Sequence, residues 1–270
     1  MTLAALLDFL WRDYVAITPS ARRIHDLMEA RGERIVNDHV AFRTFDLAPI
    51  DLESLAAPFA AFGYLETGRY DFPEKKLRAR SYAHPGRGVP YVFISELEVG
   101  AFSPAFQEIA RALVAQVPKS SARSLELLTA KPSWSAIPFD DYQTLLAESQ
   151  YGAWLAAFAL RINHCTVSVN YLSTFETLQA LNEWLIAEGF PMNESGGLVK
   201  GSAEILLEQS SILADRIEWG FADGKKHDVP SCYYEFARRY PDPQTGGLYA
   251  GFFGPSANKI FESTDTPRVR

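Results

Sequence analysis

An internal repeat constrains the fold of this chain more than any other feature. Each half reads as a strand, a helix that ends at a glycine, and then three further strands. His39 precedes the helix-ending Gly63 by 24 residues in the first half, and His164 precedes Gly189 by 25 in the second. Two such β-α-β-β-β units can close their sheets around a shared cup and bury a face that one unit alone leaves exposed. The repeat therefore predicts two modules with a common site between them.

The predicted fold is a single α+β domain over residues 1–270, built from five segments. The segments are N-terminal helices (1–34), a first module (35–100), a helical insertion (101–158), a second module (159–240) and a C-terminal segment (241–270). After the helix of the second module, strand patterns occur at 204–209, around 216–221 and at 231–237. The glycines of the C-terminal segment do not match a phosphate-binding loop, and we expect them to let this segment fold over the cup.

Composition excludes several classes of function. The 270 residues are 47% hydrophobic and carry a net charge of −7, whereas a nucleic-acid-binding surface would show a basic patch or stripe. No run approaches the roughly 18 apolar residues of a membrane span. The two cysteines, Cys165 and Cys232, do not have the spacing of a disulfide framework or a four-cysteine zinc site. Since no signal peptide is recognisable near Met1, we expect a cytoplasmic protein.

Polar side chains fall on one face of the two matching strands. Side chains on a strand alternate between faces, so His39 and Arg43 share a face of the first strand. His164, Thr166 and Ser168 share a face of its counterpart. A purely structural cup would place valine, leucine or phenylalanine at such positions. A single histidine on a strand is usually a packing residue, but two at equivalent positions of a repeat favour metal ligands.

Glu235 lies among aromatic residues in the last strand pattern of the second module. A buried carboxylate needs a partner, which is either a divalent metal or one of the neighbouring arginines, Arg238 and Arg239. Two imidazoles and one carboxylate form the ligand set of non-haem Fe(II) oxygenases and leave coordination positions open. A 2-oxo acid can fill two of these positions through its keto and carboxylate oxygens, which leaves one for dioxygen. The planar fork of Arg43 suits a second carboxylate on such a substrate.

The other histidines and the cysteines are assigned to structural roles. We expect His25 on a helix surface, His84 at a turn beside a proline, and His227 in a polar loop. Cys165 and Cys232 are expected to be packed thiols, because the sequence places no base beside either of them.

Three motifs carry a resemblance to a known family: His39-Val-Ala-Phe-Arg43, Asn163-His164 and Tyr233-Tyr-Glu235-Phe. They resemble the 2-oxoadipate dioxygenase/decarboxylase family, also called the hydroxyglutarate synthases, which lies within the vicinal oxygen chelate superfamily. The resemblance extends from about Asp38 to the C-terminus, and the His-x-x-x-Arg strand is its most specific element. It implies a vicinal oxygen chelate-like cup.

The resemblance also implies a site and a reaction. Fe(II) would be held by His39, His164 and Glu235, Arg43 would bind the substrate, and no catalytic residue would be needed beyond the metal ligands. The family converts 2-oxoadipate and O2 to 2-hydroxyglutarate and CO2 and is known for its role in lysine catabolism. The implied partners are thus a small 2-oxo acid and O2, with no nucleic acid and no membrane. Four further cations are candidates for the substrate pocket, namely Arg78, Arg80, Arg238 and Lys259.

Two other functions stay open. A glyoxalase-like isomerase or lyase would use a hydrated metal as a Lewis acid and usually has four protein ligands, two from each half. Glu96 is the obvious fourth candidate, but it follows His39 by 57 residues, whereas Glu235 follows His164 by 71. The second alternative is a metal-free module that binds a small acid without transforming it.

Overall fold

The computed structural model describes residues 1–252, 254 and 259–264, and the rest of the predicted C-terminal segment lies outside the described residues. The helices whose bounds are described are α1 (Leu3–Val15), α2 (Pro19–Ala30), α3 (Leu52–Ala61), α4 (Pro104–Val114), α5 (Glu126–Thr129), α6 (Phe139–Glu148), α7 (Gln150–Phe158) and α8 (Leu178–Ala187). The strands are β1 (Asn37–Phe45), β2 (Leu65–Phe72), β3 (Leu77–Ala83), β4 (Tyr91–Leu97), β5 (Ile162–Ser168), β6 (Lys200–Ser202), β7 (Leu207–Ser211), β8 (Arg216–Gly220), β9 (Lys226–Pro230) and β10 (Tyr233–Arg239).

Eight of the strands form one curled sheet in the order β2-β3-β4-β1-β5-β10-β7-β6. Strands β1 and β5 run antiparallel at its centre, and each pairs on its other side with a parallel strand, β4 or β10. The first four strands of this order come from the first module and the last four from the second. Counted outward from the centre of the sheet, equivalent strands of the two modules occupy equivalent positions. The topology confirms the predicted α+β class and the two β-α-β-β-β modules.

The second module departs from the predicted strand pattern. The sequence predicts a sheet strand around residues 216–221, but Arg216–Gly220 forms β8, which pairs with β9 in a separate two-stranded sheet. The outer strand of the main sheet is instead β6, which has only three residues and therefore shows no alternation. The prediction for 216–221 is wrong in its place in the sheet, because a local pattern does not tell a strand which neighbour it will pair with.

The repeated glycines mark the ends of the equivalent helices α3 and α8. Each helix begins after a capping side chain, Asp51 or Thr177, that accepts a hydrogen bond from a backbone N–H three residues later. Beyond each helix the chain turns at Gly63 or Gly189, whose φ angles of +94° and +86° favour glycine over any other residue. The matching spacing in the sequence therefore reflects the same helix stop in both modules.

The helical insertion covers one end of the cup. The Tyr151 hydroxyl on α7 donates to the Ser95 carbonyl oxygen at 2.7 Å and accepts from the Thr44 N–H at 3.0 Å. The Trp154 indole N–H donates to the Ser231 carbonyl oxygen at 2.6 Å. These bonds fix two aromatic rings beside the far end of β1, because each ring is tied to the backbone of a different part of the chain.

Part of the C-terminal segment lies against the inner face of the sheet. We call residues 247–252 and 259–264 the roof. Phe252 and Ile260 line the same small cavity as the two module histidines. The Ser263 hydroxyl shares a hydrogen bond of 2.7 Å with the Ser211 hydroxyl of β7 and accepts another from the Asn193 side-chain amide. Among the residues described, no helix combines the length and apolar character needed to cross a bilayer.

Candidate active site

The structure brings His39, His164 and Glu235 together at the centre of the sheet, on strands β1, β5 and β10. One ligand atom of each lies within 4.8 Å of the others. The Nε2 atom of His39 is 3.5 Å from Glu235 Oε1, and the Nε2 atom of His164 is 3.3 Å from Glu235 Oε2. All three side chains are buried, with Glu235 at 0% exposure. Their convergence is therefore a property of the central strands rather than of mobile surface loops.

Two β-bulges aim the histidines. Where β1 pairs with β5, Asn37 faces Val167 and His39 faces Thr166, so Asp38 is an extra residue in the ladder. The reciprocal irregularity makes Asn163 the extra residue before His164, because Ala41 faces His164 and the next pair is Phe42 with Ile162. A bulge bends its strand and redirects side chains. The polar residue that precedes each histidine in the sequence therefore lies beside its imidazole ring rather than on the opposite face.

These bulge residues hold the outer nitrogen of each imidazole. Asp38 Oδ1 is 2.8 Å from His39 Nδ1, and Asn163 Oδ1 is 3.1 Å from His164 Nδ1. Burial opposes the charge on Asp38, but the Arg239 guanidinium outweighs this effect and holds the pKa of Asp38 at about 2. The ionised carboxylate can only accept, so His39 donates through Nδ1–H. The Nε2 lone pair then faces the cup, where the Thr166 hydroxyl lies 3.1 Å and Glu235 Oε1 lies 3.5 Å from Nε2. This is the tautomer that a metal ligand requires.

Glu235 is the residue that most requires a cation. Gln209 donates to Glu235 Oε1 at 2.6 Å, but Glu235 Oε2 accepts no hydrogen bond from the described residues. With protein groups alone around it, burial raises the pKa of Glu235 to about 7. A divalent cation between this carboxylate and the two Nε2 atoms would favour the ionised form. Glu235 Oε2 and the Nε2 atoms of the two histidines therefore fit the ligand set of a metal ion.

The alternative partners of Glu235 are engaged elsewhere. Arg239 donates from Nε and Nη2 to the two oxygens of Asp38, at 2.7 and 2.9 Å. Arg238 lies with its guanidinium 5.4 Å from the ring centre of Tyr240. No ion pair of either arginine with Glu235 occurs in the described part of the chain. The salt-bridge explanation of Glu235 is therefore the weaker of the two.

The position for a fourth protein ligand is occupied by Phe93. His39 pairs with Tyr91 in β4 as His164 pairs with Tyr233 in β10, so Phe93 is the first-module equivalent of Glu235. Glu96 pairs with Thr44 and points to the opposite face of the sheet, where it accepts from the Leu52 N–H at 3.0 Å. The structure thus removes Glu96 as a metal ligand. The β8–β9 hairpin explains why the histidine-to-glutamate spacing is longer in the second module.

Arg43 lies at the insertion end of the cup. Its guanidinium carbon is 4.8 Å from the ring centre of Tyr151 and 5.1 Å from that of Trp154. Its Nη2 donates to the Thr264 hydroxyl of the roof at 3.3 Å. Arg43 also lines a cavity of about 260 Å³, together with Lys75, Lys76 and residues of α7. This cavity is separate from the smaller one, of about 20 Å³, that the three metal-ligand candidates line.

The other proposed pocket cations lie outside the cup. Arg78 and Arg80 are on the outer face of β3, where Arg78 pairs with Glu96 and Arg80 pairs with Glu53. Lys259 pairs with Glu262 and is half exposed. Sequence reasoning instead missed Gln209, which directly contacts Glu235. Gln209 is the middle residue of β7, but the predicted strand ended at this position, so its pattern gave no signal that the side chain would face inward.

Comparison with known proteins identifies the family of this chain. The family model described as "2-oxoadipate dioxygenase/decarboxylase" matches residues 6–247. This chain belongs to that family. The chloroplastic/amyloplastic 2-oxoadipate dioxygenase/decarboxylase of Oryza sativa is 35% identical over 95% of this chain and 77% of its own length. The relatives that carry this name are enzymes of the oxygenase type.

Solved structures support the fold assignment. The hydroxyglutarate synthase of Oryza sativa, solved in complex with 2-oxoadipate, superposes with a TM-score of 0.92 at 32% identity, over 98% of this chain and 92% of the other. A Shewanella frigidimarina protein described as a hydrolase superposes with a TM-score of 0.85 at 46% identity, over 93% and 97% of the two chains. This chain therefore has the vicinal oxygen chelate-like fold that its motifs predict.

Proposed function

We propose that this protein is an Fe(II)-dependent enzyme that converts 2-oxoadipate, or a similar 2-oxo dicarboxylic acid, and O2 to 2-hydroxyglutarate and CO2. The observation that carries the proposal is the buried convergence of His39, His164 and Glu235, with Phe93 where a fourth ligand would stand. The hydroxyglutarate synthase of Oryza sativa, which superposes on 98% of this chain, was solved in complex with 2-oxoadipate. A cytoplasmic location and a role in lysine catabolism, both expected from the sequence, stay predictions.

The three side chains would hold iron and leave half of an octahedral shell for substrates. Bound iron would supply dioxygen activation at those open positions, as in other sites with two histidines and a carboxylate. The protein contributes orientation and exclusion of water. Asp38 and Asn163 fix the two imidazoles through their Nδ1 atoms. Phe93 and Phe252 form apolar walls of the cavity, which favours chemistry that bulk water would intercept.

Arg43 is suited to the distal carboxylate of a dicarboxylic substrate. Four residues of strand separate it from His39, which corresponds to about 13 Å between their Cα atoms. The Arg43 side chain can shorten this gap, so a substrate chelated near His39 can present its far end to the guanidinium. Arg43, Lys75 and Lys76 also place three cations around a cavity whose acidic residues are Glu74 and Glu148. The excess is one positive charge in a chain of net charge −7, which favours a single carboxylate at this end of the cup.

Oxygen consumption tests the proposed function most directly. We expect the protein loaded anaerobically with Fe(II) to consume O2 on addition of 2-oxoadipate, with one CO2 and one 2-hydroxyglutarate formed for each O2. Zinc-loaded protein should consume none. Turnover that persists without oxygen would instead support the isomerase or a hydrolase, the latter being the name of the Shewanella relative. Tight binding of 2-oxoadipate after complete removal of metal would support the small-acid binding module.

The open coordination shell makes a specific prediction for Phe93. We expect Phe93→Glu to bring a second carboxylate to the metal and to strengthen binding of Co2+, used as an oxygen-stable probe. Oxygen uptake with iron should fall about 10-fold or more, equivalent to at least ~1.4 kcal/mol of barrier, because a position for substrate or O2 is lost. Phe93→Leu keeps this wall apolar and should leave Co2+ affinity unchanged. Undiminished oxygen uptake by Phe93→Glu would show that this position does not face the metal.

A further inference from the structure

Arg239 connects the roof to a metal-ligand candidate. The Arg239 guanidinium is fully buried, and its Nε and Nη2 donate hydrogen bonds to the two oxygens of Asp38. Asp38 in turn accepts a hydrogen bond from His39. The remaining terminal nitrogen of Arg239, Nη1, donates to the Tyr249 and Gly251 carbonyl oxygens of the roof, each at 2.8 Å. A single planar side chain therefore spans the roof and the bulge of β1. Removing it would release both at once.

The roof also contacts His39 directly, through the side chain of Phe252. The Phe252 ring stands edge-on to the His39 ring, with 4.8 Å between centres and an interplanar angle of 90°. The Phe252 backbone N–H donates to the Tyr70 hydroxyl at 3.1 Å, which places this residue against β2. His39 is thus held on one side by Asp38 and covered on the other by the roof residue that follows Gly251. A displacement of the roof would remove the cover and the Arg239 contacts together.

The second module lacks this connection. Asn163 takes the place of Asp38, and its side-chain nitrogen makes no hydrogen bond within the described residues. The strand register places Leu97 of β4 at the position equivalent to Arg239 of β10. His164 is nevertheless oriented through its Nδ1 atom. An arginine is therefore not needed simply to orient a ligand histidine at this bulge. Arg239 balances the charge of buried Asp38, and the contacts of its Nη1 with the roof go beyond that role.

We propose that Arg239 is a positioning residue that couples closure of the roof to the orientation of His39. Metal binding and roof closure are then thermodynamically linked, because both depend on the same Arg239–Asp38–His39 connection. The cavity at the metal-ligand candidates holds about 20 Å³, close to the volume that one water requires. A 2-oxo acid is larger than this cavity, so its entry requires a lining side chain to be displaced, and Phe252 and Ile260 are the lining residues that belong to the roof. This inference rests on the metal site of the proposed function, but not on its substrate or its reaction.

Linkage is reciprocal, which supplies the test. If metal favours the closed roof, the closed roof strengthens metal binding by the same factor. We would titrate the purified full chain with Co2+ and measure amide hydrogen exchange across residues 247–252 with and without Co2+. We expect Co2+ to slow exchange there in the native sequence. In Arg239→Met we expect the Co2+ affinity to fall about 10- to 100-fold, the usual effect of losing an outer partner, and the Co2+-dependent slowing to disappear.

Matched variants separate coupling from simple support. Arg161→Met removes another arginine that is paired with an aspartate, Asp13, and should change neither measurement. The double variant Arg239→Met with Asp38→Asn avoids leaving a buried unpaired carboxylate and should show the same uncoupling if the single variant fails to fold. Tyr70→Phe weakens the roof at Phe252 without touching Asp38, and we expect it also to lower Co2+ affinity, by a smaller factor.

Two results would overturn the inference. One is unchanged Co2+ affinity in Arg239→Met. The other is a combination of two observations. Arg239→Met loses Co2+ affinity but keeps the full Co2+-dependent slowing of exchange, and Tyr70→Phe binds Co2+ as tightly as the native chain. The second pattern would make Arg239 a support for His39 alone. Neither measurement requires 2-oxoadipate or turnover, so failure here is distinct from failure of the proposed function.

Discussion

His164→Ala is expected to abolish stoichiometric metal binding and, with it, oxygen uptake. His164 would supply one of only three protein ligands, and no described carboxylate or imidazole beyond His39 and Glu235 belongs to this group. The loss of affinity should therefore exceed the roughly 10- to 100-fold cost of removing an outer partner. Metal content after dialysis, measured by elemental analysis, and a Co2+ titration would follow the effect. Circular dichroism would show that the chain still folds.

The control for this variant is His25→Ala. His25, Asp26 and Glu29 form another group of metal-ligating side chains in the described residues, on the solvent-facing side of α2. Exposed groups of this kind are common without a metal, and we expect His25→Ala to keep both metal and activity. If His164→Ala retained one equivalent of metal while His25→Ala lost it, the active site would have to be placed on α2 and the proposed mechanism abandoned.

Arg43→Met should leave metal binding intact and raise the KM for 2-oxoadipate strongly. The methionine keeps much of the buried volume but removes the charged partner of the distal carboxylate. Hydrogen bonds to charged groups contribute roughly 1.5–3 kcal/mol, so kcat/KM should fall about 10- to 150-fold. Steady-state oxygen uptake at several 2-oxoadipate concentrations would measure this loss. Arg43→Lys should recover part of it, because lysine keeps the charge but not the planar fork.

A substrate without the distal carboxylate provides the internal control for Arg43. A straight-chain 2-oxo monocarboxylic acid cannot pair with the guanidinium, so its kcat/KM should be nearly the same in the native protein and in Arg43→Met. Arg80→Met, on the outer face of β3, should alter neither substrate. An equal loss for both acids would assign Arg43 to folding rather than recognition, and unchanged kinetics with 2-oxoadipate would remove Arg43 from the site.

The sequence predicted the parts of the fold that repeat. His39 and His164 could be matched because each is followed, at nearly the same distance, by a glycine that ends a helix with positive φ. The inward face of their strands also followed from simple alternation. Strand pairing could not be predicted in the same way: β6 is three residues long, and β8 carries a regular strand pattern but pairs with β9 in a sheet of its own. Pairing partners depend on tertiary contacts that local patterns do not contain.

The environment of the site was less predictable than its ligands. Asp38 and Asn163 were noticeable in the sequence as polar residues before each histidine, but alternation alone would have pointed them away from the ring. The bulges that reverse this expectation arise between β1 and β5, more than a hundred residues apart. Arg239 was considered as a partner of Glu235 because the two are close in sequence. In the structure it binds Asp38 instead, about two hundred residues away.

The substitution of Phe93 at the place that Glu235 occupies in the other module makes the two halves of the cup chemically unequal. Among the described ligand candidates, one imidazole comes from each module, whereas the carboxylate comes from the second module. The first module presents an apolar ring at the matching register, and it is also the module from which Arg43 projects. The duplicated architecture itself would therefore dictate the direction in which a long substrate lies.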